Sequence, residues 1–99
     1  MNISEIKNEG SIRLDVEGRL DNSNSTEFQE KLLKAYMVTN TVIVNMEEVP
    51  QISSAALRAL MLGKKTAEAK GGTLLVINAG TSIREVFRVT GFDKLIDIR

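Results

Sequence analysis

Two adjacent hydroxyl side chains, Ser53 and Ser54, are the part of this sequence best suited to carry chemistry. They lie where a predicted strand, Thr41–Asn45, gives way to a predicted helix that runs to about Lys70. The first N–H groups of a helix have no partner within it, and the helix dipole adds partial positive charge there. A serine at this position can cap the helix, and it can also carry a phosphate without melting it. The pattern therefore favours a switched protein over a catalyst.

The composition removes several kinds of catalytic site. The chain of 99 residues has no histidine and no cysteine, which excludes a Ser-His-Asp triad, a thiol nucleophile and a His- or Cys-based zinc site. Thirteen basic and thirteen acidic residues give a net charge of +0, which disfavours nucleic-acid binding through phosphate neutralisation. We expect a protein that is not an enzyme and that holds no cofactor and no metal.

Chain length and hydropathy indicate one domain in the cytoplasm. Residues 1–99 suffice for a single modest core, and a hydrophobic content of 42% is typical of a soluble fold. The N-terminus lacks the basic and apolar regions of a signal peptide, and no segment approaches the ~20 apolar residues of a membrane helix. We therefore predict a cytoplasmic single-domain protein with no membrane insertion.

Hydrophobic periodicity predicts an α/β domain of order β-β-α-β-α-β-α-β, with a mixed sheet of about five strands. Two alternating segments joined by a tight turn form an opening hairpin, and an amphipathic helix follows. The predicted elements are Ile3–Lys7, Ser11–Glu17, a helix Ser25–Val38, Thr41–Asn45, a helix from Ser53-Ser54 to about Lys70, Thr73–Asn78, a helix to Val89 capped by Thr81 or Ser82, and Lys94–Ile98.

The predicted strands and helices imply a particular pattern of burial. The β-branched run Thr41–Asn45 is typical of a strand that is buried on both faces of a parallel sheet. Right-handed crossovers make the later strands parallel and leave the first hairpin strand antiparallel at an edge. In the long second helix, the side chains expected to face the core are Leu57, Leu60, Met61 and Ala67.

A further candidate, Asp21, follows the second predicted strand. Its simplest role is an Asx-turn or a helix cap. In open α/β sheets, however, ligands and partners gather at the carboxyl ends of strands, and the strand before Ser54 ends at the same edge. We therefore expect Asp21 and Ser54 to lie close together. Arg58, four residues after Ser54 on the same helical face, can steady a phosphate or contact a partner.

Five stretches of the sequence, in this order and spacing, resemble the STAS domain of bacterial anti-sigma factor antagonists over essentially the whole chain. They are Gly18–Asp21, Val42–Val49, Ile52–Arg58, Lys70–Gly72 and Val86–Phe92. The resemblance implies a STAS-like fold and a regulatory protein that is not an enzyme. It implies binding to an anti-sigma factor that is an ATP-binding serine kinase, which releases the sigma factor. Phosphorylation by that kinase would end the binding, and a serine phosphatase would restore it.

The resemblance also implies which residues take part. It places the phospho-acceptor on Ser54, with Ser53 as the alternative. Ser53 stands where the family has an aspartate, while Ala55 and Ala56 stand where it has a hydroxyl residue and a glycine. The predicted partner-binding residues are Asp21, Asn22, Ser53, Ser54, Ala55 and Arg58.

Two other functions are compatible with the same sequence. Some STAS domains serve as regulatory subunits or scaffolds of membrane-associated ATPases or lipid-transport complexes, without serine phosphorylation. A groove at the strand ends can also hold a small ligand, as in a sensor domain.

Overall fold

The protein folds around one five-stranded sheet with the strand order β1-β2-β3-β4-β5, seen in a computed structural model that describes residues 1–99. Strand β1 runs antiparallel to β2, and all other neighbouring strands are parallel. The elements are β1 (Asn2–Asn8), β2 (Ser11–Glu17), α1 (Ser25–Tyr36), β3 (Thr41–Glu48), α2 (Ser54–Ala69), β4 (Thr73–Ile77), α3 (Thr81–Thr90), a 3₁₀ turn (Phe92–Lys94) and β5 (Asp97–Ile98). The predicted fold class and element order are confirmed.

The helices cover one face of the sheet. Alternate residues of β2, β3 and β4 are fully buried and form one core with apolar side chains from all three helices. The residues between them point to the other face and are half-buried or exposed. We call this the open face; its residues include Ile6, Arg13, Asp15, Ile43, Asn45, Leu75 and Ile77.

The prediction that β3 is buried on both faces is therefore wrong. Ile43 lies on the open face, where its neighbour in register on β2 is the charged side chain of Arg13. A β-branched residue is favoured on any pleated surface that is partly covered, so a continuous β-branched run does not prove burial on both sides.

Helices α1 and α2 approach each other closely. A Cβ added at Gly63 would lie 2.5 Å from Cδ2 of Leu32, so a larger residue in this seam would force the Leu32 side chain to shift. The predicted core face of α2 is correct at Leu60 and Ala67, and at Leu57, which is partly buried and packs against the core; it is wrong at Met61, which is only half-buried and is not part of the core. Where two helices pack this closely, there is room mainly for small side chains. The buried residues of α2 are accordingly mostly small: Ala56, Ala59, Leu60, Gly63 and Ala67.

The last third of the chain departs from prediction at two element boundaries. The N-cap of α3 is Gly80, so Thr81 and Ser82 lie inside the helix and neither caps it. The last strand contains only Asp97–Ile98, because Gly91, with a φ of 80°, ends α3 in the left-handed conformation and turns the chain into the 3₁₀ turn. None of the three α-helices combines the length and hydropathy needed to span a bilayer.

Candidate functional site

Ser53 is the N-cap of α2. Its backbone is extended, and its Oγ accepts a hydrogen bond of 3.2 Å from the N–H of Ala56. Its own N–H donates to the carbonyl of Leu20 over 2.8 Å. The hydroxyl of the half-buried Ser53 is therefore engaged in capping, which is one of the two roles open to a serine at this position.

Ser54 is the first residue of α2, and it is exposed. Its N–H and that of Ala55 find no acceptor within the chain. The first turn of α2 contains no acidic side chain, so nothing there offsets the positive end of the helix dipole. Arg58 lies about one turn further along, exposed and without an ion pair. A negative group on Ser54 would find free donors and a nearby cation.

Two backbone hydrogen bonds connect the Asp21 loop to the start of α2. The N–H of Leu20 donates to the carbonyl of Gln51 over 3.0 Å, and the carbonyl of Leu20 accepts from Ser53 as described above. Because Asp21 follows Leu20 directly, this pairing brings it to the same edge as Ser54. We call the group Asp21, Asn22, Ser53, Ser54 and Ala55 the Ser54 surface.

The carboxylate of Asp21 organises its own loop. Its Oδ1 accepts hydrogen bonds from the hydroxyl of Ser23 over 2.6 Å and from the N–H of Ser23 over 2.9 Å. These two hydrogen bonds lower the pKa of Asp21 below its usual range, and the bond from the Ser23 hydroxyl has the larger effect. Asp21 thus forms the Asx-turn that was its simplest predicted role. It also places a fixed negative charge on the Ser54 surface, next to the exposed Asn22.

A groove of about 330 Å³ lies beside the Ser54 surface, and the sequence analysis missed it. It separates the segment before α2 from the first turns of α3, and its lining residues are Pro50, Gln51, Ile52, Ser82, Ile83 and Val86. The position of this groove depends on how α3 packs against the segment before α2, and the local sequence pattern does not predict that packing.

The family model described as Mlab, STAS domain, matches residues 4–97 of the chain. This protein belongs to the STAS domain family. The recognition made from the five sequence stretches is thereby confirmed. No curated protein sequence shows a significant match to this one.

Solved structures with the same fold as this STAS domain include several antagonists of anti-sigma factors. Protein TM1081 of Thermotoga maritima is 16% identical, with a TM-score of 0.91 over 97% of this chain and 84% of that one. An anti-sigma factor antagonist from Mycobacterium paratuberculosis is 16% identical, with a TM-score of 0.87 over 98% and 83%. The Bacillus cell fate determinant SpoIIAA in its phosphorylated form is 18% identical, with a TM-score of 0.78 over 99% and 91%.

The STAS domain has a larger concave surface on its open face, away from the start of α2. This concavity of about 520 Å³ lies beside β1 and the ends of β2 and β3, and its charged lining residues are Asp15, Glu17, Glu47 and Glu48. No group of three potential ligands in the domain comes close enough together to hold a metal ion.

A polar network occupies the open face of the STAS domain next to this concavity. The guanidinium of Arg13 contacts Asp15 through both carboxylate oxygens, at 2.8 and 3.2 Å. The amide of Asn45 donates to Asp15 over 3.0 Å and accepts from the amide of Asn78 over 3.1 Å. These side chains tie together the carboxyl ends of β2, β3 and β4, which hold the segments leading to the Ser54 surface.

We expect Asp15→Asn to lower the free energy of unfolding by about 0.5–1 kcal/mol at neutral pH, as for other partly exposed ion pairs. Burial acts to raise the pKa of Asp15, but hydrogen bonds from Arg13 and Asn45 outweigh it and lower the pKa below its usual range. A carboxylate of this kind stabilises the fold fully above its unfolded pKa, and the contribution disappears as the pH falls through the folded pKa.

Urea unfolding of Asp15→Asn and the parent protein at neutral pH and at about pH 2 measures this effect. The difference in unfolding free energy should close at the acid pH. An equal difference at both pH values would show that the carboxylate charge contributes nothing.

Proposed function

We propose that this STAS domain is an anti-sigma factor antagonist that binds an anti-sigma factor serine kinase and so releases a sigma factor. The proposal rests above all on the exposed hydroxyl of Ser54, at a helix start with free N–H groups and no acidic residue. The backbone pairing at Leu20 brings Asp21, whose pKa is lowered, to the same edge of the domain. The likeness to SpoIIAA in both its unphosphorylated and phosphorylated forms supports the proposal at the level of the fold.

Phosphorylation of Ser54 ends the binding without unfolding the domain. In the transfer, Ser54 Oγ bonds to the γ-phosphorus of ATP, ADP leaves, and a base on the kinase takes the hydroxyl proton. The phosphate then sits at the positive end of α2, where the dipole favours it by about 0.3–1 kcal/mol. Ser53 keeps its capping bond throughout, because its hydroxyl is not the one modified.

The added charge acts at the interface. A phosphoserine carries about −1.5 to −2 charges at neutral pH, and here they join the existing charge of Asp21 on one small surface. A kinase that buries this surface must desolvate the new charge, which the free N–H groups of α2 and the side chain of Arg58 balance only in part, at a cost of about 2–5 kcal/mol. A serine phosphatase reverses the modification. The domain itself supplies no catalytic group to either step.

The test is incubation with ATP and the serine kinase encoded in the same genomic neighbourhood, followed by phosphopeptide mapping of three proteins. The parent and Ser53→Ala should both be phosphorylated on Ser54, and Ser54→Ala should not be phosphorylated. Ser53→Ala should also lose about 1 kcal/mol of stability through its missing cap, while Ser54→Ala should lose little. A phosphate on Ser53, or none on the parent, would contradict the proposal.

A constitutive scaffold or subunit of a membrane-associated ATPase complex is the second candidate. It is favoured by the description of the matching family model, which is Mlab rather than an anti-sigma factor antagonist. Ser54→Ala separates the two functions. In a scaffold this variant binds and regulates as the parent does, whereas a phosphorylation switch with Ser54→Ala stays permanently bound to its kinase.

A further inference from the structure

Strand β1 is a long sheet edge with no neighbour on its outer side. It spans Asn2–Asn8, pairs with β2 without a bulge, and contains no proline. The opposite edge of the sheet, β5, contains only two residues. Short strands, bulges and prolines are among the means by which proteins keep sheet edges from pairing, and β1 has none of these three; its only edge charges are those of Glu5 and Lys7.

The register of the hairpin determines which backbone groups of β1 point outward. The hairpin turn comprises Asn8, Glu9, Gly10 and Ser11, and Asn8 and Ser11 are paired in register. In such a turn the carbonyl of the first residue, Asn8, accepts a hydrogen bond from the N–H of the fourth, Ser11. Bonded and non-bonded pairs alternate along an antiparallel ladder. The backbone N–H and C=O groups of the even-numbered residues of β1 therefore point to β2. The outward backbone groups belong to Ile3, Glu5 and Lys7.

Two copies of β1 can pair antiparallel about a two-fold axis, and the side chains distinguish the possible registers. With the axis at Ile6, Glu5 of each copy lies opposite Lys7 of the other, and both are hydrogen-bonding positions. The two Ile6 side chains then form the non-bonded pair at the centre, where opposed side chains come closest. Opposite charges and apolar pairs directly across two strands are both stabilising.

The neighbouring registers lack this complementarity. An axis at Glu5 places the two Glu5 side chains against each other, and an axis at Lys7 does the same with the two lysines. An axis at Ser4 sets Ile3 against Glu5. Like charges directly opposite each other are destabilising, so the charge pattern of β1 selects the register centred on Ile6.

We propose that β1 is a self-association surface, through which two copies of this domain form a continuous ten-stranded sheet centred on Ile6. The pairing joins the two open faces, because Ile6 belongs to the open face and is in line with Arg13 and Ile43. One pair of edge strands buries less area than the ~1,200–2,000 Å² of a stable interface, so the dimer is reversible. The Ser54 surface contains no residue of β1 and takes no part in the strand pairing.

Oxidation of Ile6→Cys tests the register. The chain has no native cysteine, so any disulfide must join position 6 of two copies. Directly opposed residues of a non-bonded pair lie about 4.5 Å apart at Cα, within the range that a disulfide spans. Ile6→Cys should therefore form a covalent dimer under mild oxidation. The matched control is Ser4→Cys, which faces Asn8 of the second copy and should remain monomeric on non-reducing gels.

Charge exchange tests the same pairing without a covalent bond. Sedimentation from about 10 µM to about 1 mM, the range suited to an interface below standard size, should show the parent dimerising as concentration rises. Glu5→Lys and Lys7→Glu should each remain monomeric alone, and their equimolar mixture should dimerise again. Parent protein that stays monomeric throughout, or cysteine variants that crosslink equally, would overturn the proposal.

Discussion

Ser54→Glu will bind the serine kinase about 30-fold to several thousand-fold more weakly than the parent while remaining folded. The new carboxylate stands at the exposed first position of α2, at the same edge of the domain as Asp21, so the two charges meet the kinase together. Burying an unpaired charge at an interface costs about 2–5 kcal/mol, which corresponds to this range of affinity. The change in the dissociation constant can be measured by calorimetry, with circular dichroism reporting the fold.

The matched control is Ser54→Gln, which adds nearly the same volume without the charge. It should lose far less affinity than Ser54→Glu, and both variants should melt close to the parent. If the glutamine variant binds as weakly as the glutamate variant, bulk rather than charge disrupts the contact. If Ser54→Glu unfolds the domain, phosphorylation cannot act by the proposed route.

Gly72→Ala will lower the free energy of unfolding by about 2–4 kcal/mol, among the larger effects expected of a single methyl group. A Cβ at this position would lie 2.1 Å from the carbonyl oxygen of Asn40 and 2.9 Å from its carbonyl carbon. That oxygen cannot turn away freely, because it accepts the N–H of Thr73 over 2.8 Å at the start of β4. Urea unfolding of the variant and the parent measures the loss.

Gly71→Ala provides the comparison at the adjacent position. Gly71 has a φ of 68°, and a Cβ there would meet nothing within 4 Å. Its replacement should cost about 1–2 kcal/mol through the left-handed backbone alone. Should Gly72→Ala prove no more harmful than Gly71→Ala, the chain between α2 and β4 must be able to move away from Asn40.

The features predicted correctly from the sequence are those that local patterns determine. The alternation in β2 and the amphipathic periodicity of α1 each identify an element and its buried side. The features that were wrong depend on contacts between elements. Nothing near Ile43 shows that the second face of the sheet is uncovered, and nothing near Met61 shows that α2 packs through its small residues.

The candidate site divides in the same way. The proximity of Asp21 and Ser54 was predictable, because the carboxyl ends of adjacent parallel strands meet at one edge of a sheet. The assignment of capping to Ser53 and exposure to Ser54 was not, since either serine could have begun the helix. The groove lined by Ile52 and Val86 requires the packed position of α3 and left almost no trace in the sequence.

The connection between the Asp21 loop and α2 does not depend on which side chains the surface carries. The loop and the helix are joined at Leu20 by main-chain atoms, which every amino acid except proline provides in full. An exposed residue such as Asn22 can therefore be exchanged while the framework beneath it keeps its shape. Duplicated copies in one genome could acquire separate partners in this way without having to evolve a new architecture.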